Sequence, residues 1–144
     1  MGMDESISEI FVYGTLIFSP VMKAVTGKVH KGQAAKLHNF AAYKVVGDVY
    51  PGIWHLEGVS TDGILYQNIS KEELEKLDRY EGEEYNRELL EVETEDGNMH
   101  RAWVYTYRPA YRHMLSEVPW NPEYFNESEL DDYVANIEVK KRGV

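Results

Sequence analysis

The spacing of hydrophobic and polar residues changes several times along the chain, and the first changes predict a strand followed by a short helix. Residues 9–13 form a largely apolar run that stops at Gly14, which is typical of a buried strand. Ser19 and Pro20 then have the form of a helix N-cap and a first helical residue, and Gly27 is placed to end that helix.

The middle of the chain, residues 29–67, has the pattern of β-structure. Small, β-branched and aromatic residues alternate there between three turn signals, at residues 47–48, 51–52 and 61–63. This spacing predicts several short strands.

A second helix is predicted from Ser70 onward. Ser70 and Glu73 have the spacing of a capping box, in which each side chain accepts a hydrogen bond from the other residue's backbone. Leu74 and Leu77 form its inward face, and Gly82 is placed to end it.

A hairpin follows this helix. Apolar and acidic residues alternate from Leu90 to Thr94, residues 95–98 read as a turn, and a return strand follows. The return strand has large or apolar residues on both faces, with Ala102, Val104 and Thr106 on one and Trp103, Tyr105 and Tyr107 on the other. Two apolar faces indicate a closed or strongly curled sheet.

The acidic segment at residues 120–137 is predicted to form one or two helices. Its apolar positions give a stripe of six residues: Tyr124, Phe125, Leu130, Tyr133, Val134 and Ile137. We interpret the chain as a single domain, residues 1–144, with a C-terminal helical extension that starts at about residue 118 and docks on the sheet.

Composition and charge exclude several functions. The 144 residues contain no cysteine, which removes disulfides, thiolate nucleophiles and cysteine-based zinc sites. With 15 basic and 25 acidic residues the net charge is −10, so neither nucleic acid nor an anionic membrane is an expected partner. Residues 1–6 lack a basic, apolar signal pattern and no apolar run is long enough to span a membrane, which predicts a soluble cytoplasmic protein.

Two motifs carry a resemblance to a known family. Residues 11–16, FVYGTL, resemble the YGTL signature that opens γ-glutamylcyclotransferase-like domains, and residues 77–87, LDRYEGEEYNR, are similar to the second motif of that family. A Pro-Gly-Ile at residues 51–53 and the strand at residues 103–105 also match. The segment at residues 120–133 is similar to the C-terminal extension of the AIG2-like branch.

The resemblance implies an α+β fold, a small mixed β-barrel with flanking helices and a pocket at one mouth. It also implies the release of 5-oxoproline from a γ-glutamyl amine or amide, with a small-molecule substrate and no cofactor. The chain departs from the family's small-molecule enzymes at residues 17–20, IFSP, where those often have a glycine-containing loop. This departure leaves the γ-glutamyl compound open, and the sequence does not indicate the oligomeric state.

Glu81 is the predicted catalytic residue. The α-amine of a γ-glutamyl compound can itself attack the γ-carbonyl, so the protein needs one carboxylate to move protons rather than a nucleophile. Glu81 shares a helical face with Leu74 and Leu77, and burial, the helix C-terminus and the neighbouring Glu83 and Glu84 would all raise its pKa. The alternative is a solvated residue at a frayed helix end.

The predicted substrate-binding residues lie in and around the two motifs. Gly14 can adopt positive φ or let a ligand approach the backbone, and the amides of Thr15 and Leu16 can then bind an anion; the alternative is an ordinary turn. Tyr13, Tyr85 and Tyr105 are candidates for the pocket wall; the alternative for each is ordinary packing in the core or on the surface. Arg87 can pair with a substrate carboxylate or with a nearby Glu.

No other class of site is indicated. The five histidines have no ligand spacing with carboxylates, which predicts no metal site, and there is no glycine-rich phosphate loop. Two alternatives to the cyclotransferase remain open: a non-catalytic ligand-binding or interaction module with the same pocket, and another acyl-group transferase or hydrolase.

Overall fold

The computed structural model describes residues 7–141, with side chains to residue 137, so the N-terminal segment used for the targeting prediction lies outside it. The strands are β1 (Ile10–Val12), β2 (Gly32–Val45), β3 (Pro51–Tyr66), β4 (Tyr85–Thr94), β5 (Met99–Tyr107) and β6 (Leu115–Pro119). The helices are α1 (Ser19–Thr26), α2 (Lys71–Glu81), α3 (Pro122–Ser128) and α4 (Leu130–Lys141), and Thr15–Ile17 forms a single 3-10 turn.

Five strands close into a barrel. Their order is β3-β1-β5-β4-β2, and a long antiparallel pairing of β2 with β3 joins the two ends. β1 runs parallel to β5 and the other pairs in the ring are antiparallel, which confirms the predicted mixed barrel with flanking helices. β6 pairs with the second half of β2, outside the ring.

The barrel has an inner and an outer hydrophobic core. The inner core draws residues from all five strands and none from a helix; it consists of Phe11, Tyr13, Ala35, Leu37, Ile53, Leu65, Val92, Ala102 and Val104. The outer core lies between the strands and the helices, and includes Trp103, Tyr105 and Tyr107. The two apolar faces predicted for the return strand therefore pack into different cores.

The predicted series of short strands between residues 29 and 67 is wrong. Two long strands of 14 and 16 residues occupy this segment, and only the turn signal at residues 47–48 marks a real turn. Gly52 and Gly63 lie inside β3, where a Cβ would collide with the ring of Tyr107 and with the Val12 carbonyl oxygen, respectively. These glycines allow close packing rather than chain reversal.

The predicted N-cap is correct for α2 and wrong for α1. At α2 the capping box forms in full, with Ser70 Oγ accepting from the Glu73 amide at 3.1 Å and Glu73 Oε1 accepting from the Ser70 amide at 2.9 Å. At α1 the N-cap is Phe18 instead of Ser19, and Gly27 ends the helix at φ 86° as predicted.

The C-terminal helices pack on the outer core through most of the predicted stripe. Phe125 is fully buried, with its ring centroid 5.4 Å from that of Phe18 and 5.3 Å from that of Tyr133. Tyr124 does not belong to the buried stripe, since it is 58% exposed.

Replacing Ser70 with alanine should lower the free energy of unfolding by about 0.5–2 kcal/mol, because the Glu73 amide loses its acceptor at the start of α2. Urea denaturation of wild type and Ser70→Ala measures this. Ser128→Ala is the control, because Ser128 is exposed at the end of α3 and caps nothing. Equal losses for the two variants would show that the capping box contributes nothing.

Candidate active site

A cavity of about 820 Å³ opens at one mouth of the barrel, where β1 ends, β3 begins and α2 ends. The structure brings every predicted site residue to its wall: Tyr13, Gly14, Thr15, Leu16, Glu81, Tyr85 and Tyr105. Its size is in the range of cavities that hold small organic ligands.

Glu81 lies at the wall of this cavity as the last residue of α2. Gly82, at φ 87°, ends the helix beside it. Burial raises the pKa of the Glu81 carboxyl to about 8, and the Asp78 carboxylate one turn earlier adds to the shift. The predicted contribution of Glu83 and Glu84 is wrong, because the acidic neighbour that acts on Glu81 is Asp78.

Asp78 is itself held in place by two side chains. Arg87 donates to it through Nε at 2.8 Å and Nη2 at 3.2 Å, and the Tyr105 hydroxyl donates to Oδ1 at 2.7 Å. The Arg87 guanidinium also stacks 4.2 Å from the centroid of the Trp103 ring. Arg87 therefore forms an ion pair within the protein, but its partner is Asp78 and not the nearby Glu that the sequence suggested.

The turn after β1 lines the cavity with Gly14, Thr15 and Leu16. Ile17 and Phe18 donate to the carbonyls of Gly14 and Thr15, at 3.0 and 3.2 Å. Among residues 7–141, no backbone carbonyl accepts from the amides of Thr15 and Leu16. These two N–H groups are free to bind an anionic or polar ligand.

Gly14 has φ −110°, so the positive φ considered for it is wrong. A Cβ at this position would lie 2.9 Å from the Pro51 ring. The requirement for glycine therefore comes from the close approach of β3 to the turn.

The three predicted tyrosines line the cavity mainly with their rings, because their hydroxyls are used elsewhere. Tyr13 donates to the Tyr105 carbonyl at 2.5 Å and Tyr85 donates to the Pro51 carbonyl at 2.7 Å. Burial raises the pKa of both phenols, which keeps them protonated as donors. These bonds tie the strands together at the mouth.

Sequence reasoning missed three further tyrosines at the cavity, Tyr50, Tyr80 and Tyr133. Thr15 Oγ1 lies 2.7 Å from the Tyr80 hydroxyl, which lies 2.5 Å from the Tyr133 hydroxyl. Tyr80 directly precedes Glu81 in the second motif, and this position could have predicted that it lies at the cavity. Tyr133 was predicted only as part of the apolar stripe, and nothing in the pattern placed it near Glu81.

Two other features of the described residues bear on the range of possible functions. Across residues 7–141, whose side chains are described to residue 137, no three of the described His, Asp or Glu side chains are grouped so that they could hold a metal ion. Every helix in that range is too short or too polar to cross a membrane.

Comparison with known proteins places these features in a family. Residues 10–123 match the family described as "Gamma-glutamyl cyclotransferase, AIG2-like". The chain is 28% identical over 102 residues to AIG2-like protein D of Arabidopsis thaliana, an alignment that covers 71% of this chain and 67% of that protein. It spans 61% and 58% of the length of the AIG2-like proteins A and B of the same plant.

Solved structures share the fold. The solution structure of an Arabidopsis thaliana protein superposes with a TM-score of 0.69 at 25% identity, covering 90% of this chain and 87% of that one. A structure described as a gamma-glutamyl cyclotransferase superposes with a TM-score of 0.66 at 17% identity, covering 91% and 86%. With the family match over residues 10–123, the chain belongs to the γ-glutamyl cyclotransferase, AIG2-like family.

Proposed function

We propose that this protein releases 5-oxoproline from a γ-glutamyl amine or amide, with Glu81 as the acid and base of the reaction. The observation that carries the proposal is the position of Glu81. This residue, with a carboxyl pKa of about 8, lines the same cavity as Thr15 and Leu16, whose amides donate to no backbone carbonyl among residues 7–141. General acid–base catalysis at neutral pH favours a group that titrates in this range.

The proposed reaction begins at the substrate α-ammonium. The Glu81 carboxylate accepts a proton from it, and the neutral amine attacks the γ-carbonyl carbon, forming the C–N bond of a five-membered ring. The ring nitrogen of the tetrahedral intermediate still carries one proton too many and releases it to solvent. The oxyanion then collapses to the carbonyl, the C–N bond to the leaving amine breaks, and Glu81 delivers its proton to the nitrogen of that amine. The products are 5-oxoproline and a free amine, and no covalent enzyme intermediate forms.

The turn after β1 has a separate role in this proposal. The free amides of Thr15 and Leu16 would donate to the oxyanion or to the α-carboxylate of the substrate, in a cavity that is partly shielded from water. The rings of Tyr13 and Tyr85 would orient the glutamyl chain so that its amine faces its own carbonyl.

Replacing Glu81 with glutamine should lower kcat about 10²–10⁴-fold, because the amide cannot accept and return a proton. The assay is 5-oxoproline release from a panel of γ-glutamyl amino acids, ε-(γ-glutamyl)-lysine and glutathione. Glu83→Gln is the matched control and should keep wild-type kcat, because Glu83 is exposed and lies outside the cavity wall. A fully active Glu81→Gln enzyme would overturn the mechanism, and a panel without any turnover by wild type would overturn the activity.

The pH profile gives a second test. Since the ionised form of Glu81 starts the reaction, kcat/KM should rise with pH through an apparent pKa near 8. Removing the negative charge of Asp78 lowers the pKa of Glu81, so Asp78→Asn should move this rise to lower pH. A profile that is unchanged in Asp78→Asn would contradict the assignment of the titration to Glu81.

The turn can be tested through Gly14. Replacing it with valine adds a branched side chain whose Cβ would lie only 2.9 Å from the Pro51 ring. The turn must then shift, which displaces the amides of Thr15 and Leu16. We expect a large loss of kcat/KM. Thr15→Ser keeps the backbone amide and the hydroxyl that meets Tyr80, and should stay close to wild type. Mild and equal effects would exclude the amides from the reaction.

A further inference from the structure

Helix α4 forms part of the cavity wall. Tyr133, Asn136 and Ile137 all line the cavity, and their spacing of three and four residues places them on one face of the helix. The family match ends at residue 123, before α4 begins. The α4 part of the cavity wall therefore lies outside the segment that the family match covers.

The wall is held firmly against the rest of the molecule. Leu130 and Val134 of α4 pack on the outer core, and the buried ring of Phe125 lies 5.3 Å from the ring of Tyr133. The Tyr133 hydroxyl meets that of Tyr80, the neighbour of Glu81, at 2.5 Å. The α4 face is thus fixed relative to the proposed acid and base.

The hydroxyl groups of Thr15, Tyr80 and Tyr133 leave one donor unused. They carry three protons, and the two hydrogen bonds that join them use two. Either oxygen of each pair can be the donor, and we assign the direction in which Thr15 donates to Tyr80 and Tyr80 donates to Tyr133. The remaining O–H then belongs to Tyr133 at the cavity wall. Among the side chains described, to residue 137, these three hydroxyls make no other hydrogen bond, so the Tyr133 O–H is free to donate one to a ligand oxygen.

Charge at the same cavity favours an anionic partner for that donor. Lys76 and Arg79 line it from α2, five and two residues before Glu81, and Glu84 lines it just after the helix. The Lys76 ammonium donates to the Thr26 carbonyl at 3.4 Å. Within a chain of net charge −10, two cations that share a cavity with Asn136 and Tyr133 give a lining suited to a carboxylate.

We propose that Tyr133 is a specificity-determining residue whose hydroxyl donates a hydrogen bond to a carboxylate on the leaving amine of the substrate. The inference rests on the proposed cyclotransferase function. In that reaction Glu81 and the turn amides bind the glutamyl half, and the α4 wall with Lys76 and Arg79 accommodates the other half. Leaving amines that carry a carboxylate are then preferred over the same amines without one.

Two substrates isolate this contact. γ-Glutamylalanine and γ-glutamylethylamide differ only in the carboxylate of the leaving amine. Wild type should favour γ-glutamylalanine, and Tyr133→Phe should reduce the ratio of the two kcat/KM values about tenfold, mainly through KM, as expected for the loss of one hydrogen bond to a charged group. Tyr124→Phe is the control and should leave the ratio unchanged, because Tyr124 is exposed on α3 and does not line the cavity.

The outcomes separate the inference from the proposed function. Turnover with an unchanged ratio in Tyr133→Phe, or an equal loss on both substrates, overturns the role of Tyr133 and leaves the cyclotransferase standing. If wild type turns over neither compound, the wider panel of γ-glutamyl compounds decides the proposed function, and calorimetric binding of the same two compounds decides the inference. A selective loss of γ-glutamylalanine affinity in Tyr133→Phe supports it; an equal loss, unchanged affinity or no binding to wild type overturns it. Thermal unfolding of both variants shows whether a loss reflects folding.

Discussion

The closure of the barrel through β1 is the constraint on which the site depends. β1 has only three residues, but it pairs antiparallel with β3 on one side and parallel with β5 on the other, and all three residues are buried. Without this strand the ring would have two open edges. Because β1 is held on both sides, the turn that follows it is delivered to a fixed place at the mouth, next to the start of β3.

The electrostatics of the site follow from how α2 ends at this mouth. Asp78 is bound by Arg87 and Tyr105, so its negative charge stays close to Glu81. Burial and this charge act in the same direction on the pKa of Glu81. The second motif can therefore be understood as one arrangement, in which the pairing of β4 with β5 positions Arg87 and Tyr105 to hold Asp78 beside the candidate acid and base.

The C-terminal helices add a layer that the barrel alone does not have. Phe125 anchors them on the outer core against Phe18, which follows the turn after β1. Tyr133 then reaches Tyr80 at the end of α2. The same packing that stabilises the extension thus completes the wall of the cavity, which connects the fold of the C-terminal segment to the properties of the site.

Signals confined to a few neighbouring residues were predictable from the sequence. The capping box of α2, its end at Gly82 beside Glu81, and the hairpin turn at residues 95–98 all depend on backbone geometry over one or two turns of chain, and the structure has each of them. The two-sided apolar pattern of the return strand also indicated correctly that the sheet closes.

The tertiary structure decided whatever depends on residues far apart in the chain. The sequence pattern predicted turns at Gly52 and Gly63. In the structure both lie inside β3, where Tyr107 and Val12 pack too closely to leave room for a side chain. The hydroxyl contact between Tyr80 and Tyr133 spans 53 residues, and no periodicity encodes it. Local sequence determines backbone propensity and the apolar face of a helix, and this was enough to place Glu81 at the end of α2. Only the closed path of the chain determines which distant side chains share a cavity with it.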